Sequence, residues 1–571
     1  MLDAITPTSI EQLEQDIAVL SAAKGRFAVL PIADRLRLLE QAAAGVAEIQ
    51  EEWVAAGCEA KGLDANGALA GEEWLAGPCV TQRNIRLLQH ALADIRDYGR
   101  PILPEDSVST RDSGQTVVQV FPTGGFDKVM FTGFTAEIWM ESEVTPENVL
   151  DTMAWAYQAG ASREGAVSLV LGAGNVSSIG PMDVLYKMFV ENEVVILKMN
   201  PVNEYLGPFF ERAFESFIKA DFLRMAYGGA QVGDFLCKHD SVDNIHITGS
   251  DKTHDIIVWG APGEEQEKRK TESNPVNSKP ITSELGNVSP VIVVPGPWTE
   301  AELAFQATNI ASQVCNNGSF NCNAAKLVVQ WRDWDKRDVL MDKVGETLTG
   351  APRRKAYYPG ADGRYDAFMK AHPEGVPTGD RTTESIPWTL IRNVDSSGSD
   401  EICFTTEAFC GLLSETALDA ESPADFIRKA VDFCNDTVWG TLSTCILIHP
   451  KSLKDPEVAK AFNEGLDNLR YGTIGVNHWP ALGYGLVTPT WGAHPGHSLS
   501  DIQSGRGSVH NTYMFSKPQK SVVRGPFTMF PKPAWFVTNK TTQHVGRRMA
   551  DFERAPSIFK LPGIIVKALA G

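Results

Sequence analysis

The sequence predicts an α/β protein of two or three domains that is built around a parallel sheet. Its 571 residues exceed what one ordinary core accommodates, so several buried interiors are expected. Between residues 167 and 198 a strand, a helix and a second strand follow one another, which is the repeating unit of parallel sheets. Apolar residues make up 43% and charged residues 22%, as in globular rather than disordered chains.

The residues before this unit predict helices and then a pair of strands. From about residue 9 to residue 93, apolar side chains recur at three- and four-residue spacing, which indicates helices packed beside a sheet. Residues 115–138 are rich in β-branched and aromatic residues and are interrupted at Pro122, which predicts two strands. A capped helix is predicted over residues 145–160.

The parallel sheet is predicted from strands at residues 167–171, 194–198 and 244–248, with a helix around 207–219. Ligands of such sheets bind beyond the carboxyl ends of the strands. Asn175 and Lys198 follow two of these strands, and the turn Gly249-Ser250 follows the third. Backbone N–H groups at that turn, where a helix begins, favour a pyrophosphate.

A second α/β unit is predicted from residue 281 to about residue 500, after a charged, solvated insertion at 261–280. Residues 509–536 are interpreted as strands and loops that return to another part of the molecule. The apolar tail at 558–570 is expected to pack on a partner subunit.

Charge and cysteine usage exclude several classes of function. The net charge of −19 disfavours nucleic acid and membrane surfaces as partners. Residues 1–20 do not resemble a secretory signal, and no apolar stretch approaches the roughly 20 residues that span a bilayer. The nine cysteines form neither a disulfide framework nor a metal-binding pattern, which favours a cytoplasmic protein without a metal.

Two segments offer reactive side chains. Glu284 opens residues 284–293, just before a predicted buried strand, and is either a surface carboxylate or a general base between two domains. Cys322 follows a Gly- and Asn-rich approach and precedes another strand, which predicts a turn where backbone N–H groups stabilise a thiolate. Cys315 is the alternative nucleophile.

In order along the chain, these segments resemble the signatures of the aldehyde dehydrogenase superfamily. Residues 284–290 match five of the seven positions of Glu-Leu-Gly-Gly-Lys-Ser-Pro, and Cys322-Asn-Ala keeps the family's Cys-x-Ala. The 23 residues from Asn175 to Lys198 equal the family's interval between its oxyanion-hole Asn and its ribose-binding Lys. Counted from Gly318, however, the family spacing places the nucleophile at Asn321, one residue before Cys322.

Three further segments carry the resemblance. Gly249-Ser250 is similar to the family's Thr-Gly-Ser turn beneath the cofactor phosphates, and lies 35 residues before Glu284. Glu407-Ala-Phe409 resembles Glu-Ile-Phe, in which the Glu binds the nicotinamide ribose and the Phe packs by the ring. Residues 471–477 and 504–507 are similar to a later strand and loop of the family.

The resemblance implies a Rossmann-type cofactor domain, an α/β catalytic domain and a small β oligomerisation element. The cofactor domain is expected at residues 1–114 and 146–283, and the catalytic domain at 284–508. Oligomerisation strands are expected at 115–145 and 509–536, before a C-terminal extension at 537–571. A homodimer or homotetramer is expected.

The implied reaction is oxidation of a small aldehyde to a carboxylic acid. Cys322 is the nucleophile, Asn175 the oxyanion donor and Glu284 the general base that releases the acid. The cofactor is NAD or NADP, with NADP slightly favoured because Pro201 replaces the carboxylate of many NAD-preferring members. Two alternatives are an acylating reductase that uses coenzyme A and an inactive scaffold with the same fold.

Overall fold

The structure, a computed structural model, describes residues 5–398 and 400–571. Its strands, in chain order, are β1 (Val108–Thr110), β2 (Thr116–Phe121), β3 (Thr135–Met140), β4 (Val167–Leu171), β5 (Val194–Lys198), β6 (Leu223–Ala226), β7 (Asn244–Thr248), β8 (Ile281–Glu284), β9 (Pro290–Val293), β10 (Leu327–Trp331), β11 (Val376–Pro377), β12 (Thr389–Val394), β13 (Leu412–Leu418), β14 (Ser443–Leu447), β15 (Thr473–Val476), β16 (Thr490–Gly492), β17 (Gly505–Arg506), β18 (Ser508–His510) and β19 (Pro518–Arg524).

The α-helices are α1 (Ile10–Ala28), α2 (Ile32–Ala60), α3 (Ala70–Trp74), α4 (Val80–Tyr98), α5 (Gly125–Met130), α6 (Ile179–Phe189), α7 (Gly207–Ala213), α8 (Glu215–Lys219), α9 (Ala230–Lys238), α10 (Asp251–Trp259), α11 (Glu264–Glu272), α12 (Glu300–Cys315), α13 (Arg337–Gly350), α14 (Ala361–Ala371), α15 (Ile402–Thr405), α16 (Pro423–Asp436), α17 (Pro456–Asn468), α18 (Ala481–Leu486), α19 (Thr542–Arg554) and α20 (Leu561–Leu569).

A six-stranded sheet carries the predicted cofactor-site strands, in the order β17-β8-β7-β4-β5-β6. Strands β8, β7, β4, β5 and β6 are parallel, so their carboxyl ends share one edge. The predicted N-terminal helices pack beside this sheet, because their apolar residues at three- and four-residue spacing join its core; examples are Leu13, Ile17 and Leu20.

An eleven-stranded sheet occupies the other half of the molecule, in the order β1-β2-β3-β19-β15-β14-β9-β10-β13-β12-β11. Its central strands are parallel and buried on both faces, which explains their continuous apolar runs. The mixed α/β class is therefore confirmed.

The strand pair predicted within residues 115–138 forms as β2 and β3, with α5 between them. Strand β3 pairs antiparallel with β19, and β19 runs parallel to β15 of the same chain. These strands therefore extend the large sheet within one subunit. Strand β1, from the stretch expected in the cofactor domain, pairs with β2 at the sheet's edge.

The helix predicted over residues 145–160 is wrong. Two short 3-10 turns form instead, at Val149–Thr152 and Trp155–Tyr157. Between them Met153 is extended and bridges to Phe515, while the N–H of Ala154 donates to the carbonyl of Met514. Pairing with a distant segment has replaced the local helix.

Helices α19 and α20 belong to the C-terminal extension and pack on the N-terminal helices of the same chain. Their buried residues form one apolar cluster with Trp74, Val54 and Cys58. Among the described residues, no helix combines the length and hydropathy that crossing a membrane requires.

Candidate active site

Cys322 lies on a turn immediately before β10, as its neighbours predicted. The approach from α12 bends sharply, with positive φ angles at Asn317, Gly318 and Ser319. Cys315, the alternative nucleophile, ends α12 and is buried in a different apolar cluster. Cys322 alone of these two lines the large cavity described below.

Lys326 holds the turn in place from beneath. Its ammonium Nζ donates to the carbonyl oxygens of Asn321 at 3.1 Å, Cys322 at 3.3 Å and Ala324 at 3.0 Å. The same Nζ lies 3.1 Å from Oε1 of Glu407. A buried charge with these partners fixes the loop that carries the sulfur.

Glu284 is the last residue of β8 and faces Cys322 across the junction of the two sheets. Its Oε1 is 4.0 Å from the Cys322 Sγ, within reach of the thiol proton. The indole Nε1 of Trp491 donates to the same oxygen at 2.5 Å, whereas Oε2 is buried without a hydrogen-bond partner among the described residues. The second oxygen is thus available to another donor.

Burial controls the protonation of both groups. Burial, together with the nearby charge of Asp183, raises the pKa of Glu284 to about 8, although the Trp491 hydrogen bond opposes the shift. Burial and the charges of Glu284 and Glu407 hold the pKa of the Cys322 thiol well above its usual value. The sulfur is therefore a thiol beside a carboxyl group whose pKa is about 8, and the expected thiolate is not stabilised.

Asn175 lies beside the turn that carries Cys322 and forms hydrogen bonds with residues that precede it. Its Nδ2 donates to the carbonyl of Phe320 at 2.9 Å. The backbone carbonyl of Asn175 accepts hydrogen bonds from Asn317 Nδ2 at 2.9 Å and from the Tyr357 hydroxyl at 3.1 Å. One N–H of the Asn175 amide is thereby used to fix the loop before Cys322, and its role as oxyanion donor stays a prediction.

The predicted cofactor residues lie together at the carboxyl edge of the six-stranded sheet. Lys198 ends β5, and Gly249-Ser250 follows β7, where the Gly249 N–H donates to the Glu284 carbonyl at 3.0 Å. The Ser250 side chain caps α10, which leaves other N–H groups of its first turn unpaired within the helix.

This edge fits a nicotinamide dinucleotide. Lys198 is buried, and among the described residues no side chain or carbonyl forms a hydrogen bond or ion pair with its ammonium. Burial lowers the Lys198 pKa, and the charge of Glu204 opposes that shift. Glu204 Oε2 is itself buried without a hydrogen-bond partner. An unpaired cation and an unpaired carboxylate oxygen at one strand edge are suited to phosphate and ribose hydroxyls.

Glu407 and Phe409 lie just before β13, and Glu407 is close to the turn that carries Cys322. Glu407 packs against Gly286 and pairs with Lys326, while Phe409 packs on Tyr358 with ring centroids 5.0 Å apart. Their predicted contacts with the nicotinamide stay predictions.

One cavity of about 550 Å³ opens beside Cys322 and Glu284 and extends to α20. Trp479 lines it and donates from Nε1 to the Asn323 carbonyl at 2.8 Å. The nearby aromatic side chain of His478 and that of Trp155 do not line it. His478 is buried with hydrogen bonds to backbone carbonyls, and Trp155 packs beside the core of the six-stranded sheet.

Three residues that shape this site were missed by the sequence analysis. Trp491 binds Glu284, Asp183 raises its pKa, and Lys326 fixes the turn. Trp491 stands 207 residues from its partner, and no short motif signals such a contact. Of the three, only Lys326 could have been noticed from the sequence, because it lies within the segment that contains Cys322.

Comparison with known proteins gives distant matches to one group of enzymes. No family model matches the chain. N-succinylglutamate 5-semialdehyde dehydrogenase of Novosphingobium aromaticivorans is 24% identical over 36% of this chain and 41% of its own length. 4-Trimethylaminobutyraldehyde dehydrogenase B of Danio rerio is 25% identical over 52% of this chain and 53% of its own length. The chain thus spans about half the length of these curated relatives, or less.

Solved structures match over a larger share of the chain. The NADP complex of NADP-dependent glyceraldehyde-3-phosphate dehydrogenase from Bacillus halodurans matches with a TM-score of 0.59 and 17% identity, over 91% of this chain and 92% of that one. Indole-3-acetaldehyde dehydrogenase with NAD+ matches with a TM-score of 0.58 and 17% identity, over 91% and 90%. The chain therefore has the fold of these aldehyde dehydrogenase structures.

Proposed function

We propose that this protein oxidises an aldehyde to a carboxylic acid with a nicotinamide cofactor, using Cys322 as nucleophile and Glu284 as general base. The observation that supports it most is the 4.0 Å separation of Cys322 Sγ and Glu284 Oε1 at the inner end of a cavity. Two chain segments from two different sheets meet there, beside strand ends suited to a dinucleotide.

The first step is addition of the sulfur to the aldehyde carbon. Glu284 accepts the thiol proton, the C–S bond forms, and the carbonyl electron pair moves to oxygen. The backbone N–H of Asn323, which faces the sulfur, and the second N–H of Asn175 are candidate donors to that oxyanion. When bound, the nicotinamide supplies the acceptor for the hydride that leaves this carbon.

The second step is hydrolysis of the resulting thioester. After Glu284 has released the first proton to solvent, it removes a proton from water as the water oxygen attacks the acyl carbon. The C–S bond then breaks, which releases the acid and restores the thiol. A carboxyl with a pKa of about 8 is suited to both proton transfers.

The base also bears on the acylating alternative. A thioester transferred to coenzyme A needs no water-activating carboxylate, whereas Glu284 stands within proton-transfer distance of the sulfur. We therefore favour hydrolysis.

For the cofactor we propose NAD as the preferred form. Pro201 alone slightly favoured NADP, but Glu204 brings a carboxylate to the edge where Lys198 lies. Such a carboxylate binds the ribose 2′-hydroxyl and repels a 2′-phosphate. Glu204→Gln is expected to shift the NADP/NAD ratio of kcat/KM towards NADP by roughly tenfold, about 1.4 kcal/mol. An unchanged ratio would remove Glu204 from the cofactor site.

The experiment that tests the function is reduced-cofactor formation with a panel of aldehydes, with and without coenzyme A. We expect turnover without coenzyme A. The Cys322→Ala variant should lose this turnover, whereas Cys315→Ala should retain it. Strict dependence on coenzyme A would support the acylating alternative. Cofactor binding without turnover on any aldehyde would support the inactive scaffold.

A further inference from the structure

We infer that the aldehyde taken by this site has a long, uncharged apolar chain, which fills the channel between Cys322 and α20. The inference rests on the function proposed above and names its substrate class. It is carried by the walls of the channel, by the pairing of the charges along it, and by the helix that forms its outer end.

The walls of the channel are mainly apolar. The N-terminal part of the chain contributes Leu69, just before α3, and Val80 of α4; α5 contributes Met130, α18 contributes Leu482, and the C-terminal extension contributes Met549 and Ile564. A volume of about 550 Å³ holds far more than an aldehyde group. Burial of apolar surface is the driving force that such a lining provides.

The charged side chains that reach this lining are already paired with one another. Lys61 Nζ is 2.6 Å from Glu73 Oε1, and Arg354 Nη2 is 2.8 Å from Glu72 Oε2. Each of these four side chains is nearly or fully buried. Their charges cancel locally, so this section of the channel has no uncompensated charge for a carboxylate or phosphate.

Charged side chains nearer the outer end of the channel are also paired. Arg83 forms ion pairs with Asp127 at 3.0 Å and with Glu553 at 2.9 Å. Lys532 lies near the surface and donates to the Thr538 carbonyl at 2.9 Å. Within residues 5–398 and 400–571, the only charged residue lining the channel without an oppositely charged side chain, apart from this peripheral lysine, is Glu284 at the reacting end.

Helix α20 forms the outer wall. Ile564 is buried and lines the channel together with Ala568, one helical turn further on. The opposite face is exposed, with Val566 63% accessible. The two faces provide a test site and a matched control on one helix.

The first test is a series of unbranched aldehydes from propanal to dodecanal, assayed with NAD+. We expect kcat/KM to rise by roughly two- to fourfold for each added methylene until the channel is filled. Dodecanal should also exceed an aldehyde of similar length that ends in a trimethylammonium group, because the carboxylates along the outer channel are already paired with cations. A flat or falling series, or preference for a charged end, would overturn the inference.

The second test fills the outer end of the channel. Ala568→Phe should lower the dodecanal/propanal ratio of kcat/KM by at least tenfold, while Val566→Phe, with comparable bulk on the exposed face, should leave the ratio unchanged. An equal ratio in both variants would show that the chain does not reach α20.

Failure of the proposed function is distinguishable from failure of this inference. Turnover without chain-length dependence rejects the substrate class and leaves the oxidation standing. If no aldehyde is turned over, calorimetry of Cys322→Ala with dodecanal and propanal decides. If dodecanal binds at least tenfold more tightly than propanal, with a negative heat-capacity change, the apolar site is supported. If the two aldehydes bind equally tightly, the apolar site is rejected.

Discussion

The two ends of the channel are built in different ways. At the inner end, Cys322 and Glu284 come from segments that resemble family signatures, and polar contacts from Lys326 and Trp491 fix them. At the outer end, α20 contributes apolar side chains from an extension that matches no signature. We infer from this difference that the motifs specify the proposed reaction, whereas packing outside them specifies which distal part of a substrate the channel accepts.

The largest effect is expected from removal of the base at the inner end. Glu284→Gln should lower the steady-state rate about a thousandfold, since water then attacks the thioester without a base. The thermal midpoint should not fall, because the buried carboxyl is replaced by a neutral group of the same shape. Steady-state kinetics and a melting curve measure both. A rate within tenfold of the parent would assign hydrolysis to another residue.

Removing a buried ion pair near the outer end of the channel is expected to lower the free energy of unfolding rather than the rate of the reaction. Glu553 of α19 accepts hydrogen bonds from Arg83 at 2.9 Å and Arg86 at 3.0 Å, and is fully buried. Glu553→Ala should cost about 3 kcal/mol of unfolding free energy, because it leaves buried cations short of a partner.

The matched control is an exposed ion pair between α2 and the same helix α19. Glu51 pairs with Arg547 of α19, and both side chains are about half exposed. Glu51→Ala should cost below about 1 kcal/mol. Urea unfolding compares the two variants. Equal losses would show that the extension is not anchored through Glu553.

The pH dependence of turnover belongs to the inner end alone. Because burial raises the pKa of Glu284 to about 8, the basic carboxylate form is scarce below that pH and accumulates as the pH rises through it. The rate should therefore increase with pH and reach a plateau above about pH 9, with a roughly hundredfold lower rate at pH 6. A rate that levels off below pH 6 would contradict the assignment of a raised pKa to the base.

The smallest predicted effect concerns the cofactor. A Cβ at Gly286 would lie 2.1 Å from Glu407 Oε2, so Gly286→Ala must displace that carboxylate. If Glu407 binds the nicotinamide ribose, the KM for NAD+ should rise about tenfold. Gly233→Ala is the control, because a Cβ there meets no atom within 4 Å. An unchanged KM in Gly286→Ala would exclude Glu407 from the cofactor site.

The strands of the parallel sheet could be predicted closely from sequence. β4, β5 and β7 have the predicted bounds, because each is rich in Val, Ile or Leu and is followed by a turn or a loop. The helix at 145–160 failed because residues around Met153 pair with Phe515, a contact that no local pattern records.

The site was predictable only in part, for a related reason. Cys322 and Glu284 each sit in a short recognisable segment, so their meeting at 4.0 Å could be anticipated. The pKa of Glu284 is raised by burial and by the charge of Asp183 and is lowered by the Trp491 hydrogen bond, and these two residues lie in segments that carry no motif. The Asn175 amide was expected to be open, but the unusual loop around it directs one N–H to Phe320.

The most direct test of the account is to identify the residue that carries the acyl group. In Glu284→Gln the sulfur loses the base that accepts its proton, but one of the charges that raises the Cys322 pKa is also gone. At alkaline pH the thiol therefore loses its proton to solvent and the thiolate attacks, whereas hydrolysis of the thioester stays slow. After mixing with dodecanal and NAD+ and quenching with acid, peptide mass spectrometry should find the acyl mass on Cys322. Reduced cofactor formed with the acyl group on Cys315, or with no acylated cysteine, would contradict the account.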